Sequence, residues 1–344
     1  MSVRIAVAGA GMIGRRHVEN VLADPRAELA AIVDPVEAGH RLAGELGVPW
    51  YPDLSGLLGA RLADGVILAT PNAAHVPGGC EAIAAGLPVL VEKPLANTVE
   101  DAQRLVDASE AAQVPVLVGH HRRHSPILQR AARAIEQGAI GRIVAVSGSM
   151  LINKPAAYFD AAWRRQKGAG PILINLIHDI DDLRMLVGEI TTVQAMASHA
   201  TRGFEVEDTA ALALRFANGA LGSFILSDAA TSSRSWELTS GENRDYPHQE
   251  GEDCYIIAGT RGQLSVPTLR LWTNAGEQPD WFEPLDHGVL EVRRTDPLAN
   301  ELANFIQVIQ GEAEPVVTAR EGMRTLAATL AVAEAAATGR PVGV

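Results

Sequence analysis

Glycines at positions 9, 11 and 14 constrain this chain more than any other feature. They stand in Gly9-Ala10-Gly11-Met12-Ile13-Gly14, directly after the apolar run Val3–Ala8 and before a helix-forming stretch. In a strand that turns straight into a helix, the first glycine permits the tight turn, the second leaves the backbone bare, and the third lets helix and strand pack closely. The helix start then offers unpaired N–H groups and a positive dipole end to that bare backbone, which suits a pyrophosphate. The spacing predicts a dinucleotide site made by Gly9, Gly11, Met12, Ile13 and Gly14.

The chain around this turn keeps the rhythm such a site needs. Short, almost continuously apolar runs at Val3–Ala8, Leu29–Val33, Val66–Thr70, Val89–Glu92 and Val116–Gly119 alternate with helical stretches at Val36–Leu46, His75–Ala85 and Val99–Gln113. Strands buried on both faces between helices imply a doubly wound parallel sheet, an α/β Rossmann domain over residues 1–121. Beyond Arg122 strands follow one another. Thr209–Phe216, Asn218-Gly219 and Ala220–Leu226 read as a hairpin, since Asn-Gly supplies positive φ angles. Helices are expected at Pro171–Val187, Leu298–Ile309 and Glu321–Thr338. Residues 122–344 thus read as an α+β domain with an open, mostly antiparallel sheet, serving substrate binding and oligomerisation, with its last helices packing back on the first domain.

Charge and composition narrow the ligand. With 29 Lys+Arg against 41 Asp+Glu and no basic block, a surface that tracks nucleic acid is not expected. No run of about 18 apolar residues suggests a membrane span, and Met-Ser-Val-Arg-Ile-Ala-Val lacks the basic and apolar regions of an export signal. Cys80 and Cys254 suit a reducing cytoplasm, and no Cys/His spacing suggests a metal. The partner is a small molecule.

Two positions sharpen the chemistry. Asp34 ends the second strand, where a carboxylate accepts from an adenosine ribose 2′-OH and repels a 2′-phosphate, so NAD is favoured over NADP. Glu92-Lys93-Pro94 ends the Val89–Glu92 strand at the carboxyl edge of the sheet, where open α/β folds place their ligands. A lysine there can hydrogen-bond a hydroxyl and stabilise the developing alkoxide.

Taken in order, Gly9–Gly14, Ala69-Thr70-Pro71-Asn72 with His75, Glu92-Lys93-Pro94, Arg122-Arg123, Gly170 with His178-Asp179-Ile180-Asp181, Val206-Glu207-Asp208 and Gly259-Thr260-Arg261-Gly262 resemble the Gfo/Idh/MocA family of sugar and polyol dehydrogenases. The resemblance covers nearly the whole chain and implies hydride transfer to NAD from a secondary hydroxyl of a sugar, inositol or related cyclic polyol. It implies Lys93 and His178 as the catalytic pair, with Thr70, Pro71, Asn72, His75, Glu92 and His121 beside the cofactor. A histidine suits proton transfer near neutral pH. Many family members carry an aspartate four residues before this histidine. Here that place is Ile174, and Asn175 follows it, so Asn175 is a candidate for orienting substrate but not for accepting a proton. Substrate contacts are expected from Lys93, His121, Arg122, Arg123, Asn153, Trp163, Arg164, Asn175 and His178. Trp236 and Tyr255 could cover a sugar face or fill the core, and Asp182 could support His178.

Two other functions fit the same residues: a cis-dihydrodiol dehydrogenase whose arginines clamp a carboxylated aromatic diol, and a non-catalytic NAD-binding regulator. NAD held through a redox-neutral cycle is also compatible. An open sheet exposing one face needs a cover, so a homodimer or homotetramer is expected.

Overall fold

A computed structural model describes residues 2–166, 168–276 and 280–344. They form two compact units, one running through His124 and joined by Pro297–Leu326, the other made of Ser125–Asp296 and Ala327–Val344.

In the first unit the strands are β1 (Val3–Ala8), β2 (Ala27–Val33), β3 (Trp50–Tyr51), β4 (Gly65–Leu68), β5 (Val89–Glu92) and β6 (Val116–Gly119). The helices are α1 (Met12–Ala23), α2 (Glu37–Leu46), α3 (Leu54–Ala60), α4 (His75–Ala84) and α5 (Val99–Ala112). Described residues form one parallel sheet in the order β3-β2-β1-β4-β5-β6. Strand order reverses between β1 and β4, the switch point beside which such folds bind ligands. β4 and β5 are buried at every position, as continuous apolar runs between two helical layers must be. The short edge strand β3 and the helix α3 were not expected from sequence. Asp53 caps α3 by accepting from the Gly56 amide.

The second unit contains β7 (Ile143–Leu151), β8 (Ile190–Ser198), β9 (Thr209–Phe216), β10 (Leu221–Ser227), β11 (Tyr255–Gly259), β12 (Gly262–Val266), β13 (Arg270–Asn274), β14 (Leu285–Val289) and β15 (Val342–Gly343). Its helices include α6 (Pro126–Glu136), α7 (Pro171–Ile174), α8 (Leu176–Leu186) and α9 (Trp236–Thr239). The sheet order is β14-β13-β12-β11-β7-β10-β9-β8-β15, antiparallel throughout except where β10 runs parallel to β7. The β9–β10 hairpin turns at Gly219, whose φ of +87° only glycine adopts freely. One sheet face packs on α6 and α8, burying Leu128, Ile180, Leu183, Leu212, Phe224 and Ile257. Alternate residues on the other face, Met196, Leu221 and Ile225, are exposed.

The chain closes with α10 (Pro297–Ile309) and α11 (Ala319–Thr338). Leu302, Phe305 and Ile306 of α10 lie in the core of the first unit, and α11 passes from one unit to the other. The single helix expected over Pro171–Val187 is two: Asn175 (φ −107°, ψ −54°) separates α7 from α8.

Candidate functional site

The carboxyl ends of the parallel strands collect the candidate cofactor residues. Gly9 follows β1 with a φ of +95°, and a Cβ there would lie 2.4 Å from the Ala69 carbonyl oxygen. A Cβ on Gly14 would lie 1.8 Å from the Gly9 oxygen, so neither position tolerates a side chain. Gly11 differs. It starts α1, and a Cβ would meet nothing within 4 Å, which leaves an open cradle over the helix N-terminus. Met12, 82% exposed, and Ile13 form the next turn.

Asp34, after β2, is buried. Its Oδ2 accepts from the Ala10 amide at 2.6 Å and its Oδ1 from the Val36 amide at 2.9 Å. These bonds tie the carboxylate to the glycine turn, and each oxygen keeps a further lone pair for a ribose hydroxyl. Gly39 makes room for it, because a Cβ there would stand 2.3 Å from the Asp34 Cβ. After β4, the Thr70 hydroxyl is buried with no hydrogen-bond partner among the described residues. Pro71 is exposed and Asn72 half-buried. An open glycine cradle, a fixed carboxylate and an orphaned hydroxyl along one sheet edge fit a dinucleotide.

His75 is 1% exposed and its two ring nitrogens lie 2.8 Å from the Pro94 oxygen and 2.9 Å from the Thr70 oxygen. Burial lowers its pKa, against the pull of both carbonyls. The ring therefore links the loops after β4 and β5, which holds Thr70 and Lys93 in register.

Lys93 follows β5 and is half-buried. Its amide donates to Glu92 Oε2 at 3.1 Å. His17, buried on α1, donates from Nε2 to Glu92 Oε1 at 2.8 Å. Burial alone would raise the Glu92 carboxyl, but the bond and charge of His17, with Lys93, hold it well below the usual carboxylate range. Glu92 is thus an anion locked behind Lys93. Beyond β6, burial and the neighbouring Arg122 cation push His121 down to about 3, so its ring is neutral at working pH. Arg122 is buried and Arg123 half-buried in the same turn.

The second unit holds the other candidates. Lys154 Nζ donates to Asn175 Oδ1 at 2.7 Å and pairs with Asp228 at 3.1 Å; Arg202 pairs with the same carboxylate. Burial lowers the Lys154 pKa and Asp228 partly restores it. Asn175 caps the start of α8, and its carbonyl accepts the His178 amide at 3.1 Å. His178 is 8% exposed. Arg164 lies over the Tyr158 ring at 4.0 Å and donates to the Tyr158 oxygen at 2.7 Å. Trp163 is 54% exposed beside it. Asn153 is exposed and spends its amide on Thr231 at 3.2 Å. Trp236 and Tyr255 do not present rings to a ligand: both are buried and stacked on each other. The Tyr255 hydroxyl bonds Asp182 at 2.9 Å and also Asp179, which gives Asp182 a core partner not foreseen from sequence.

Sequence reading left out His17 and Lys154 as a partner of Asn175, and it named Glu207 only within the Val206-Glu207-Asp208 motif, without a role. The Glu207 carboxylate accepts from the Ile172 amide at 3.0 Å and sits where a Gly170 Cβ would stand 2.1 Å away. Burial raises its pKa. A signal existed for His17, since it follows Gly14 on the face of α1 that carries Val18 and Val21 into the core.

Comparison with known proteins agrees with this geometry. Residues 3–120 match the oxidoreductase family, NAD-binding Rossmann fold, and residues 132–344 match the oxidoreductase family, C-terminal alpha/beta domain. The chain is 31% identical over 344 residues to 1,5-anhydro-D-fructose reductase of Ensifer adhaerens, covering 98% of this chain and 97% of that one. It is 32% identical over 199 residues to the rhizopine catabolism protein MocA of Rhizobium meliloti, and that match spans 58% of this chain and only 61% of MocA. The crystal structure of the WlbA dehydrogenase from Bordetella pertussis, in complex with NADH and UDP-GlcNAcA, superposes with a TM-score of 0.79 at 29% identity, covering 100% of this chain and 99% of that one. Matches of both family models across both units, with the glycine turn and the Glu92-Lys93-Pro94 segment at the sheet edge, show that this chain belongs to the Gfo/Idh/MocA oxidoreductase family.

Proposed function

We propose that this protein is an NAD-dependent dehydrogenase that oxidises a secondary hydroxyl of a sugar, inositol or related cyclic polyol. The observation that carries this reading is the row of Gly11, Asp34, Thr70 and Lys93 at successive carboxyl ends of one parallel sheet. Gly11 and the start of α1 would hold the pyrophosphate, and Asp34 the adenosine ribose. NAD, when bound, supplies the hydride acceptor. Lys93 donates to the substrate hydroxyl and stabilises the alkoxide that forms as its proton leaves. His178 takes that proton. With Oδ1 engaged by Lys154, Asn175 can offer substrate its amide N–H, so it orients the substrate and leaves proton transfer to His178.

Substrate class rests on the relatives, whose names concern an anhydrofructose, rhizopine catabolism and a nucleotide sugar acid. The dihydrodiol and regulator readings have no such support. A screen of inositols, aldoses, anhydrosugars and carboxylated dihydrodiols for NADH absorbance tests the proposal. NADH formed with a sugar or inositol supports it. Turnover confined to a dihydrodiol, or substrate converted with no net NADH, replaces it with one of the other readings.

The proposal includes self-association through the exposed sheet face. Met196 and Ile225 both pair with Ala211 in register, forming an apolar row that no other part of the described chain covers within its own unit. A cytoplasmic location completes it, supported by a sequence with two cysteines, Cys80 and Cys254, too few for a disulfide framework.

A further inference from the structure

Glu301 lies on the apolar face of α10, beside Leu302 and Phe305, with no exposed surface. Neither of its carboxylate oxygens has a hydrogen-bond partner among the described residues. One of them, a Glu92 oxygen and a His17 ring nitrogen all lie within 4.8 Å of one another. An ionised carboxylate cannot persist there without a partner, because burial disfavours its charge and the Glu92 anion repels it. Both effects act in the same direction and raise the Glu301 pKa, burial being the larger.

A metal ion would be the other way to relieve two carboxylates and a histidine. Glu92 is the anion of the pair, so the His17 nitrogen 2.8 Å away is the donor, and a metal would have to displace that proton and break the bond that fixes Glu92. A proton on Glu301 is the simpler answer.

We propose that Glu301 is a positioning residue for Lys93: a neutral carboxylic acid that leaves Glu92 as the single anion of the cluster. This rests on the reading of Lys93 as the reacting lysine. Glu92 then divides its two oxygens between the His17 ring and the Lys93 amide, and its charge faces one ammonium. If Glu301 ionised, a second negative charge beside Glu92 would draw on the same donors and move the loop that carries Lys93. The groups facing the cluster are His17 from α1, Glu92 and Lys93 from β5, and His121, Arg122, Arg123 and His124 from the turn against α10. On α10 itself the flanking polar residues are Asn300 and Asn304, which do not titrate.

The test uses the whole enzyme with glutamate labelled at its carboxyl carbon. Wild type is expected to show one glutamate carboxyl resonance that is still at its protonated position at pH 7 and is missing from Glu301→Gln. If every glutamate carboxyl has ionised by pH 7, the proposal is overturned, whatever Lys93 does. Kinetics supply a second readout: Glu301→Gln, neutral at every pH, should keep kcat within about threefold of wild type at neutral pH and flatten the alkaline limb of the pH profile, because it preserves Glu92 as the single anion. A folded Glu301→Gln enzyme that loses more than about tenfold in kcat at neutral pH overturns the proposal, as does a stoichiometric metal that Glu301→Gln abolishes. An unimpaired Lys93→Met variant beside a persistent protonated resonance would refute the role of Lys93 and leave the buried acid standing.

Discussion

Replacing Asp34 with serine separates the two nicotinamide cofactors. The wild-type carboxylate is held by the Ala10 and Val36 amides at 2.6 and 2.9 Å and sits at the edge of the glycine turn, so it cannot swing away from a ribose. A hydrogen bond to a charged acceptor contributes about 1.5–3 kcal/mol, so losing the ribose contact should weaken NAD binding by about 10- to 150-fold. For NADP the carboxylate acts in reverse: two like charges about 4 Å apart near a protein surface repel by about 4 kcal/mol. Wild type should therefore prefer NADH over NADPH by more than about a hundredfold, and Asp34→Ser should bring the two within about tenfold. Quenching of protein fluorescence by each reduced cofactor gives both dissociation constants, and a thermal melt confirms that the variant is folded. Equal binding of NADH and NADPH by the wild type, or an unchanged preference in the variant, would refute the reasoning.

Further outcomes follow from the same contacts. His178→Ala should lower kcat by about 10²–10⁴-fold and remove one limb of the pH–rate profile, with the NADH dissociation constant unchanged by titration. His121 carries its proton in the unfolded chain below about pH 6.5 but in the folded protein only below about 3, so stability falls as pH drops through that window. The slope is up to about 1.4 kcal/mol per pH unit, and urea melts of His121→Asn between pH 5 and 7 should show a shallower one. Sedimentation at micromolar concentration should give a dimer or tetramer, and Ile225→Lys, which places a charge on the exposed sheet face, should shift it toward monomer. A monomeric wild type contradicts that reading.

The first unit was legible because its signals are local. β1, β5 and β6 have the bounds their nearly continuous apolar runs announced, with Arg4 in β1 and Glu92 at the end of β5 as the polar exceptions. β3 has two residues and α3 contains Gly56 and Gly59, too short and too glycine-rich to show a strand or helix period. The break at Asn175 has no local signal: the partner of its side chain is Lys154, twenty-one positions earlier, and no periodicity encodes that contact. Trp236 and Tyr255 left core and ligand open, because an aromatic ring suits either; burial and the bonds to Asp179 and Asp182 place them in the core. His17, Glu92 and Glu301 come from three distant segments. A glutamate inside the apolar stripe of α10 was the one local sign of that cluster.

The central claim, that Lys93 performs the chemistry at an NAD site, is tested most directly by Lys93→Met on a substrate found in the NADH screen. In Lys93→Met, kcat should fall by about 10²–10⁴-fold while the NADH dissociation constant changes by less than about threefold, because Lys93 acts on the alkoxide and contributes little to holding the cofactor. Near-wild-type turnover by a folded Lys93→Met enzyme would contradict it.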